Sequence, residues 1–413
     1  MTISQKDREI LRGLAAHQLE LANAPSMQAK IKDWQALNNF RMRRPMVYLE
    51  MGTFQNEVIP KRMRCEGEDA RGIEWSIYEN TLQSELFDDD YVVPDYFPMG
   101  WHVGFNLFGM DSKREHAHAA DGAATLGHQF VHSIDDLEED WDKLGHSTWS
   151  VNREETLKWK AFVEEIIGDI LPVKMVGRGL YSVPTQKIVH IMGMESMFVN
   201  MMDYPELFGQ MMQRAADETV AYFRFLEAEK LLLPTSHQEH VGQGTYCFTE
   251  DLPSEVPAGG LKTKDVWGFM DSQETVGLNP DLYGELVWPY YKQIASEYGH
   301  FSYGCCEPVN TIWKYLSEMD NLRKVSISPW CDQTFMGEAL RGRRTVFHRK
   351  PSPNYLGVDV NLDEDAFRKH IMETVTAAKG CTLEITQRDV YTIHNNEAKA
   401  RRYVEIIREC TAQ

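Results

Sequence analysis

Several features are scarce or missing in this sequence, and each one excludes a class of protein. The 413 residues contain only seven cysteines, odd in number and irregular in spacing, which is not the pattern of a disulfide-stabilised secreted domain. No apolar run approaches the ~20 residues that span a bilayer, and residues 1–7 are polar, without the apolar core of a signal peptide. We therefore expect reduced thiols and a cytoplasmic protein with no membrane anchor.

Positive charge is also in deficit. The chain has 43 Lys and Arg against 62 Asp and Glu, a net charge of −19, which repels phosphate backbones and anionic membrane surfaces. The glycine patterns of dinucleotide-binding and phosphate-binding loops are missing as well. These absences argue against nucleic acid and membranes as partners, and against a nucleotide-binding sheet.

Strand and helix patterns alternate along most of the chain. Apolar residues at helical spacing predict two helices before residue 39, and residues 46–52 are typical of a first buried strand. Alternating strands and helices predict parallel βα units, so we expect an α/β fold, a (β/α)8 TIM barrel over residues 44–413 with an N-terminal helical extension over residues 1–43. The further predicted strands are 187–193, 267–272, 300–303, 324–328, 345–348 and 381–385. The main predicted helices are 153–170, 205–230, 280–298, 309–318, 363–379 and 396–410. Residues 89–110 and 111–133 are predicted to be long loops.

The segment Tyr303-Gly304-Cys305-Cys306-Glu307-Pro308 places two thiols and a carboxylate just after a predicted strand. Thiolate, imidazole and carboxylate groups are the ligands that zinc prefers, so Cys305 and Cys306 with Glu274 and His348 predict a zinc site with one open position. Two buried, inert cysteines are the alternative. The sequence leaves open which of the two thiols points inward.

Other polar side chains also follow predicted strands, where active sites of βα barrels lie. We expect them to line the same pocket. They are Glu50, His237, Asp271, Trp330 and Arg349.

Residues 278–283 (LNPDLY) and 288–292 (WPYYK), followed by the short strand, Cys305 and the helix beginning at Pro308, resemble the C-terminal half of the uroporphyrinogen decarboxylase superfamily. The resemblance extends more weakly from about residue 44 to the end. It implies a (β/α)8 barrel and one of two activities. These are decarboxylation of a porphyrinogen without a cofactor, and methyl transfer involving a corrinoid and zinc.

Two motifs separate these activities. The decarboxylases carry an arginine-rich motif just after the first strand, where this chain has Glu50, and a carboxylate there would repel a polycarboxylate substrate. The methyltransferases carry His-x-Cys at a strand end, where this chain has Tyr303-Gly304-Cys305 and keeps only the cysteine. The sequence thus resembles the corrinoid-dependent methyltransferase-like branch, with a zinc ligand set of its own.

This resemblance implies a zinc-dependent methyltransferase that moves a methyl group from a small methylated substrate to the Co(I) corrinoid of a partner protein. An aryl methyl ether is the first choice of substrate, because the predicted loops are rich in aromatic residues. Asp271 or Tyr303 is expected to be the proton donor, and Glu50, His237, Trp330 and Arg349 are expected to bind substrate. No Asp-x-His-x-x-Gly corrinoid signature occurs in the chain, so a separate protein must bring the corrinoid.

Two other functions remain as alternatives. One is a cofactor-independent decarboxylase or lyase that acts on a small carboxylate, with Arg349 and Lys350 as anion-binding groups. The other is a non-catalytic barrel that binds or assembles other proteins. The sequence also leaves a homodimer open.

Overall fold

The computed structural model of this protein describes residues 2–110, 112–118 and 125–412. Its α-helices are α1 (Gln5–Asn23), α2 (Pro25–Asn38), α3 (Gln55–Val58), α4 (Glu68–Phe87), α5 (Arg153–Ile167), α6 (Pro184–Met192), α7 (Met194–Asp203), α8 (Pro205–Ala228), α9 (Pro280–Leu286), α10 (Trp288–Ala295), α11 (Trp313–Leu316), α12 (Gln333–Leu340), α13 (Asn354–Gly357), α14 (Glu364–Ala377) and α15 (Glu397–Thr411). Its strands are β1 (Met46–Leu49), β2 (Phe97–Met99), β3 (Val103–Asn106), β4 (Arg114–His118), β5 (Thr125–Phe130), β6 (Thr148–Val151), β7 (Val173–Met175), β8 (Leu180–Tyr181), β9 (His240–Gly242), β10 (Thr245–Tyr246), β11 (Trp267–Met270), β12 (His300–Tyr303), β13 (Leu322–Ile327), β14 (Val346–Arg349) and β15 (Leu383–Gln387).

The central element is a curled sheet of seven strands in the order β1-β15-β14-β13-β12-β11-β8. Every neighbouring pair in it is parallel. The first strand of the chain thus lies beside the last one, and helices occupy the connections between successive strands. The prediction of an α/β fold with parallel strands is confirmed.

A second parallel pair is formed by β2 and β7, and residues shortly before β2 contact the open side of β1. The Asp90 amide donates to the carbonyl of Val47 at 2.8 Å. The carboxylates of Asp89 and Asp90 accept from the amides of Leu49 at 2.8 Å and Val47 at 2.7 Å. These contacts use backbone donors and a backbone acceptor of β1 that would otherwise lack a partner on this side. The structure resembles a TIM barrel in that β1 has hydrogen-bond partners on both of its sides. The predicted closure by eight strands stays a prediction.

The two N-terminal helices pack on the same body as the sheet. The Trp34 side chain of α2 is fully buried against Tyr246 and donates from Nε1 to the carbonyl of Asp90 at 2.8 Å. Gln18 of α1 donates to the carbonyls of Pro94 and Tyr96, both at 2.9 Å. The predicted helices before β1 are therefore confirmed, whereas the division into two domains stays a prediction. In the described part of the chain, no helix is both long and apolar enough to cross a membrane.

Three predictions of local structure are wrong. Residues 187–193, predicted to be a strand, belong to helix α6, where Ile188, Ile191 and Met192 form a buried face at helical spacing. The predicted helix 280–298 is divided into α9 and α10 at Val287, and Pro289 in the first turn of α10 has no amide proton to donate. The predicted loops 89–110 and 111–133 contain the short strands β2 to β5.

Candidate active site

A cavity of about 480 Å³ opens at the carboxyl ends of the central strands. Its wall is formed by residues that follow several strands, and it includes Tyr181, Gln243, Cys305, Cys306, Lys350, Arg388 and Asp389. A second cavity of about 500 Å³ lies beside Trp101 and Arg178, and its lining holds no thiol or carboxylate. Reactive groups gather at strand ends in parallel α/β folds, so the cavity with the thiols is the candidate active site.

The turn at Gly304 brings both thiols to this cavity. Gly304 has a φ of +100°, a conformation that side chains disfavour, and it breaks the in-and-out alternation of β12. Cys305 is buried and Cys306 is half-buried, and their sulfurs are 3.6 Å apart. The hydrogen bond from Cys305 lowers the pKa of the Cys306 thiol, although burial opposes this change. The Cys306 sulfur is thus the more acidic of the two and the more accessible.

Two cations face the thiols. The Lys350 ammonium is almost fully buried and lies 3.0 Å from Gln243 Oε1. Arg388 donates from Nε to Glu50 Oε2 at 2.9 Å, and its Nη1 lies 3.9 Å from Cys305 Sγ. Positive charge near a thiol favours the thiolate. The cavity therefore combines a nucleophilic sulfur with groups suited to an anion.

Buried carboxyl groups lie behind the thiols. Glu307 accepts from the amides of Cys305 at 2.7 Å and Ser272 at 3.0 Å, which fixes the turn that carries the thiols. Asp271 is fully buried, and neither of its carboxyl oxygens has a hydrogen-bond partner among the described residues. Burial, reinforced by the charge of Glu307, raises the pKa of Asp271 well above its usual range. Burial therefore favours the protonated form of Asp271.

Glu274 and Tyr303 lie outside the cavity wall. Glu274 accepts from Thr185 Oγ1 at 2.9 Å on α6, and burial raises its pKa. The Tyr303 hydroxyl lies 2.6 Å from Ser272 Oγ and 2.9 Å from the Tyr283 hydroxyl of α9. Both side chains thus bind the strand ends to the surrounding helices.

His348 lies deeper in the sheet than the thiols. Its Nε2 is 2.9 Å from Thr386 Oγ1 and its Nδ1 is 3.5 Å from Glu384 Oε1. Glu384 also accepts from the Lys324 ammonium at 2.8 Å, and both members of this ion pair are fully buried. Burial, with the charge of Lys350 adding to it, lowers the pKa of His348 well below its ordinary value. His348 is therefore a neutral member of a buried polar layer.

The predicted substrate-binding residues divide into two groups. Trp330 lines the cavity and is 77% exposed. Glu50 does not line it but accepts a hydrogen bond from Arg388, which does. Arg349 points to the other side of β14, where it donates to the carbonyls of Ile327 at 3.2 Å and Ser328 at 2.8 Å. His237 lines a separate cavity of about 400 Å³ beside Tyr96. Trp330 and Glu50 therefore belong to the candidate site, and Arg349 and His237 lie elsewhere.

The four predicted zinc ligands are not gathered at one point. Two sulfurs on one tetrahedral zinc, at bonds of ~2.3 Å, lie ~3.8 Å apart, close to the 3.6 Å between Cys305 and Cys306. Glu274 and His348 form hydrogen bonds elsewhere and do not line the cavity. Within the described ranges, no group of three or more His, Cys, Asp or Glu side chains is placed to hold a metal ion. The predicted set does not fit zinc in this arrangement, and zinc binding stays a prediction.

Several cavity residues were not expected from the sequence. Tyr181, Gln243 and Tyr391 lie in short or irregular segments where strand periodicity gives no direction. The Gly242-Gln243-Gly244 sequence is the one local signal, because two glycines around a polar residue indicate a tight turn. All three residues there have positive φ, and the turn directs Gln243 Oε1 to Lys350.

Comparison with known proteins adds information on the fold. No family model matches the chain, and neither does any curated protein. Among solved structures, the chain is similar to a methyltransferase from Methanosarcina mazei, with 13% sequence identity, 92% of this chain and 98% of that chain covered, and a TM-score of 0.52. At this identity the similarity shows that the two chains share a fold. Membership of the uroporphyrinogen decarboxylase superfamily stays a prediction.

Proposed function

We propose that this protein is a methyltransferase that removes a methyl group from a small methylated substrate bound in the thiol-lined cavity. The proposal rests on one observation above all, the accessible thiol pair beside two cations at the carboxyl ends of the strands. The likeness in fold to a methyltransferase adds support. We further propose that β2 and β7 help to close the seven-stranded sheet into a barrel around this cavity, with the contacts between Asp90 and Val47 beside β1 as part of the closure.

The chain has groups suited to each part of such a reaction. Trp330 and Tyr391 are 77% and 76% exposed and line the cavity, so they offer aromatic surface to an aryl methyl ether. The carbon–oxygen bond to the methyl group breaks with both electrons staying on oxygen, and that oxygen then takes a proton. We assign this proton to Asp271, which lies behind the thiols and outside the cavity lining and whose protonated form is favoured by burial. A corrinoid held by a separate protein supplies the electron pair that takes up the methyl group.

The decisive experiment is anaerobic incubation of the protein with methoxyarenes and free Co(I) cobalamin. We expect formation of the phenol in equal amount to the loss of Co(I) absorbance, and at least a hundredfold slower reaction in Asp271→Asn, since general acids contribute about 10²–10⁴ in rate. Asp359→Asn, at an exposed carboxylate, is the matched control. A failure to produce phenol from any methoxyarene in the presence of Co(I) would refute the proposal.

A lyase acting on a small carboxylate is a second candidate, and one contact favours it. Lys350 is buried and has an uncharged amide oxygen as its side-chain partner, which suits a substrate carboxylate. A lyase would release product from a carboxylic acid without any corrinoid. Product formation that is independent of Co(I) would therefore favour this candidate.

A further inference from the structure

Lys350 follows strand β14 and is 4% exposed at the wall of the cavity. Its ammonium lies 3.0 Å from Gln243 Oε1 and 3.4 Å from each of the carbonyl oxygens of Gly304 and Cys305. All three are neutral acceptors. In the described part of the chain Lys350 forms no ion pair, which is unusual because a buried charge is costly unless it is paired.

Three neighbouring carboxylates, those of Glu50, Asp389 and Glu307, interact with groups other than Lys350. Glu50 accepts from Arg388 Nε at 2.9 Å, and Asp389 Oδ1 lies 3.8 Å from the same guanidinium. Glu307 has one oxygen on the Ser272 amide and the other on the Cys305 amide. Among the described residues, Lys350 is thus left without a carboxylate partner at the cavity wall, and burial lowers its pKa from the ordinary lysine range.

We propose that Lys350, together with the Gln243 side chain, binds the carboxylate of a small anionic substrate, so that the methyl donor is a methylated aromatic acid. The naming of this substrate as a methyl donor rests on the proposed function, whereas the anion site stands on the contacts of Lys350. A cavity of about 480 Å³ lies in the range of small-molecule sites. The Trp330 and Tyr391 rings at the same cavity offer apolar contact to the aromatic part.

The position of Lys350 also sets where such a ligand lies. Its ammonium contacts the carbonyl of Cys305, the residue next to the accessible Cys306 thiol. A carboxylate bound to Lys350 therefore places the rest of the molecule against the thiol pair. A second reading of Lys350 is that it only stabilises the Cys306 thiolate, and the two readings predict different chemistry for charged and neutral reagents.

Paired alkylating reagents separate these readings. Iodoacetate and iodoacetamide both react with a thiolate by forming a sulfur–carbon bond and releasing iodide, and they differ in carrying a carboxylate or a neutral amide. Cys306 is the only one of the seven cysteines that is not buried, and all seven lie in the described ranges. The ratio of the two rates cancels the thiolate fraction and reports anion binding beside Cys306.

We expect Lys350→Met to lower the iodoacetate-to-iodoacetamide rate ratio by about tenfold or more, because hydrogen bonds to charged groups are the strong ones. Lys399→Met is the matched control. Lys399 is also buried, at 5% exposed, but it donates to the carbonyl of Asp359 and does not line the cavity. Its ratio should equal that of the wild type. Melting temperatures of both variants confirm that each is folded.

The wild type supplies an independent measurement should Lys350→Met fail to fold. Benzoate should protect Cys306 from iodoacetamide at concentrations where benzamide does not. Equal protection by the two compounds, an unchanged ratio in Lys350→Met, or an equal fall of both rates would overturn the anion site. If the wild type shows no methyl transfer but Lys350→Met lowers the iodoacetate-to-iodoacetamide rate ratio as expected, the proposed function is refuted and the anion site stands.

Discussion

Cys305 and Cys306 hold their sulfurs 3.6 Å apart at the mouth of the cavity, and the hydrogen bond between them lowers the pKa of the Cys306 thiol. Cys305→Ala removes that donor, so the pKa of Cys306 should rise. The midpoint of the pH profile for iodoacetamide alkylation should then move to higher pH. Cys305→Ser keeps a hydroxyl donor and should move it less. An unchanged midpoint in Cys305→Ala would show that the pair is not coupled.

Gly304→Ala should disturb the thiols more than the rest of the protein. A methyl group at this position would lie 3.0 Å from Ser326 Cβ and 3.1 Å from Val309 Cγ1, on a backbone with φ of +100°. We expect a loss of roughly 1–3 kcal/mol in unfolding free energy and slower alkylation of Cys306. Gly342→Ala is the control, since its φ is +77° and nothing lies near its added methyl. It should lose stability without a change in alkylation.

Asp271 makes stability depend on pH. Its folded-state pKa is raised by burial and by Glu307, so the folded protein keeps a proton that the unfolded chain releases above about pH 4. Stability should therefore fall as pH rises from about 4 towards the folded pKa, at about 1.4 kcal/mol for each pH unit. Asp271→Asn should remove this slope and be the more stable protein at pH 8. Urea unfolding between pH 5 and 8 measures it, with Asp359→Asn as the control that keeps the slope.

The buried ion pair between Lys324 and Glu384 should be costly to break. Lys324→Met leaves the Glu384 carboxylate buried without its cation, and we expect a loss of about 3–5 kcal/mol in unfolding free energy. The double variant Lys324→Met/Glu384→Leu should recover much of this loss. Lys6→Met breaks the exposed pair with Glu66 and should cost less than about 1 kcal/mol. Equal losses in the two single variants would contradict the role assigned to burial.

Strand ends could be found from the sequence, but the direction of each side chain there could not. The short apolar runs of β1 and β12 were evident, and Cys305, Cys306 and Trp330 do reach the cavity. Along β14 the side chains alternate, so His348 faces the interior of the sheet while Arg349 turns to the opposite side. That direction depends on the register of neighbouring strands and on turns such as the one at Gly304. Neither the register of neighbouring strands nor the direction of such a turn can be seen in a local sequence pattern.

The ion pair between Glu50 and Arg388 joins residues 338 positions apart in the chain. Strand β15 also supplies the hydrogen-bonding neighbour of both β1 and β14. A chain still emerging from the ribosome therefore has Cys305 and Cys306 well before it has the rest of the cavity around them. Until Arg388 and Asp389 have folded beside it, the Cys306 thiol lacks this part of the cavity wall.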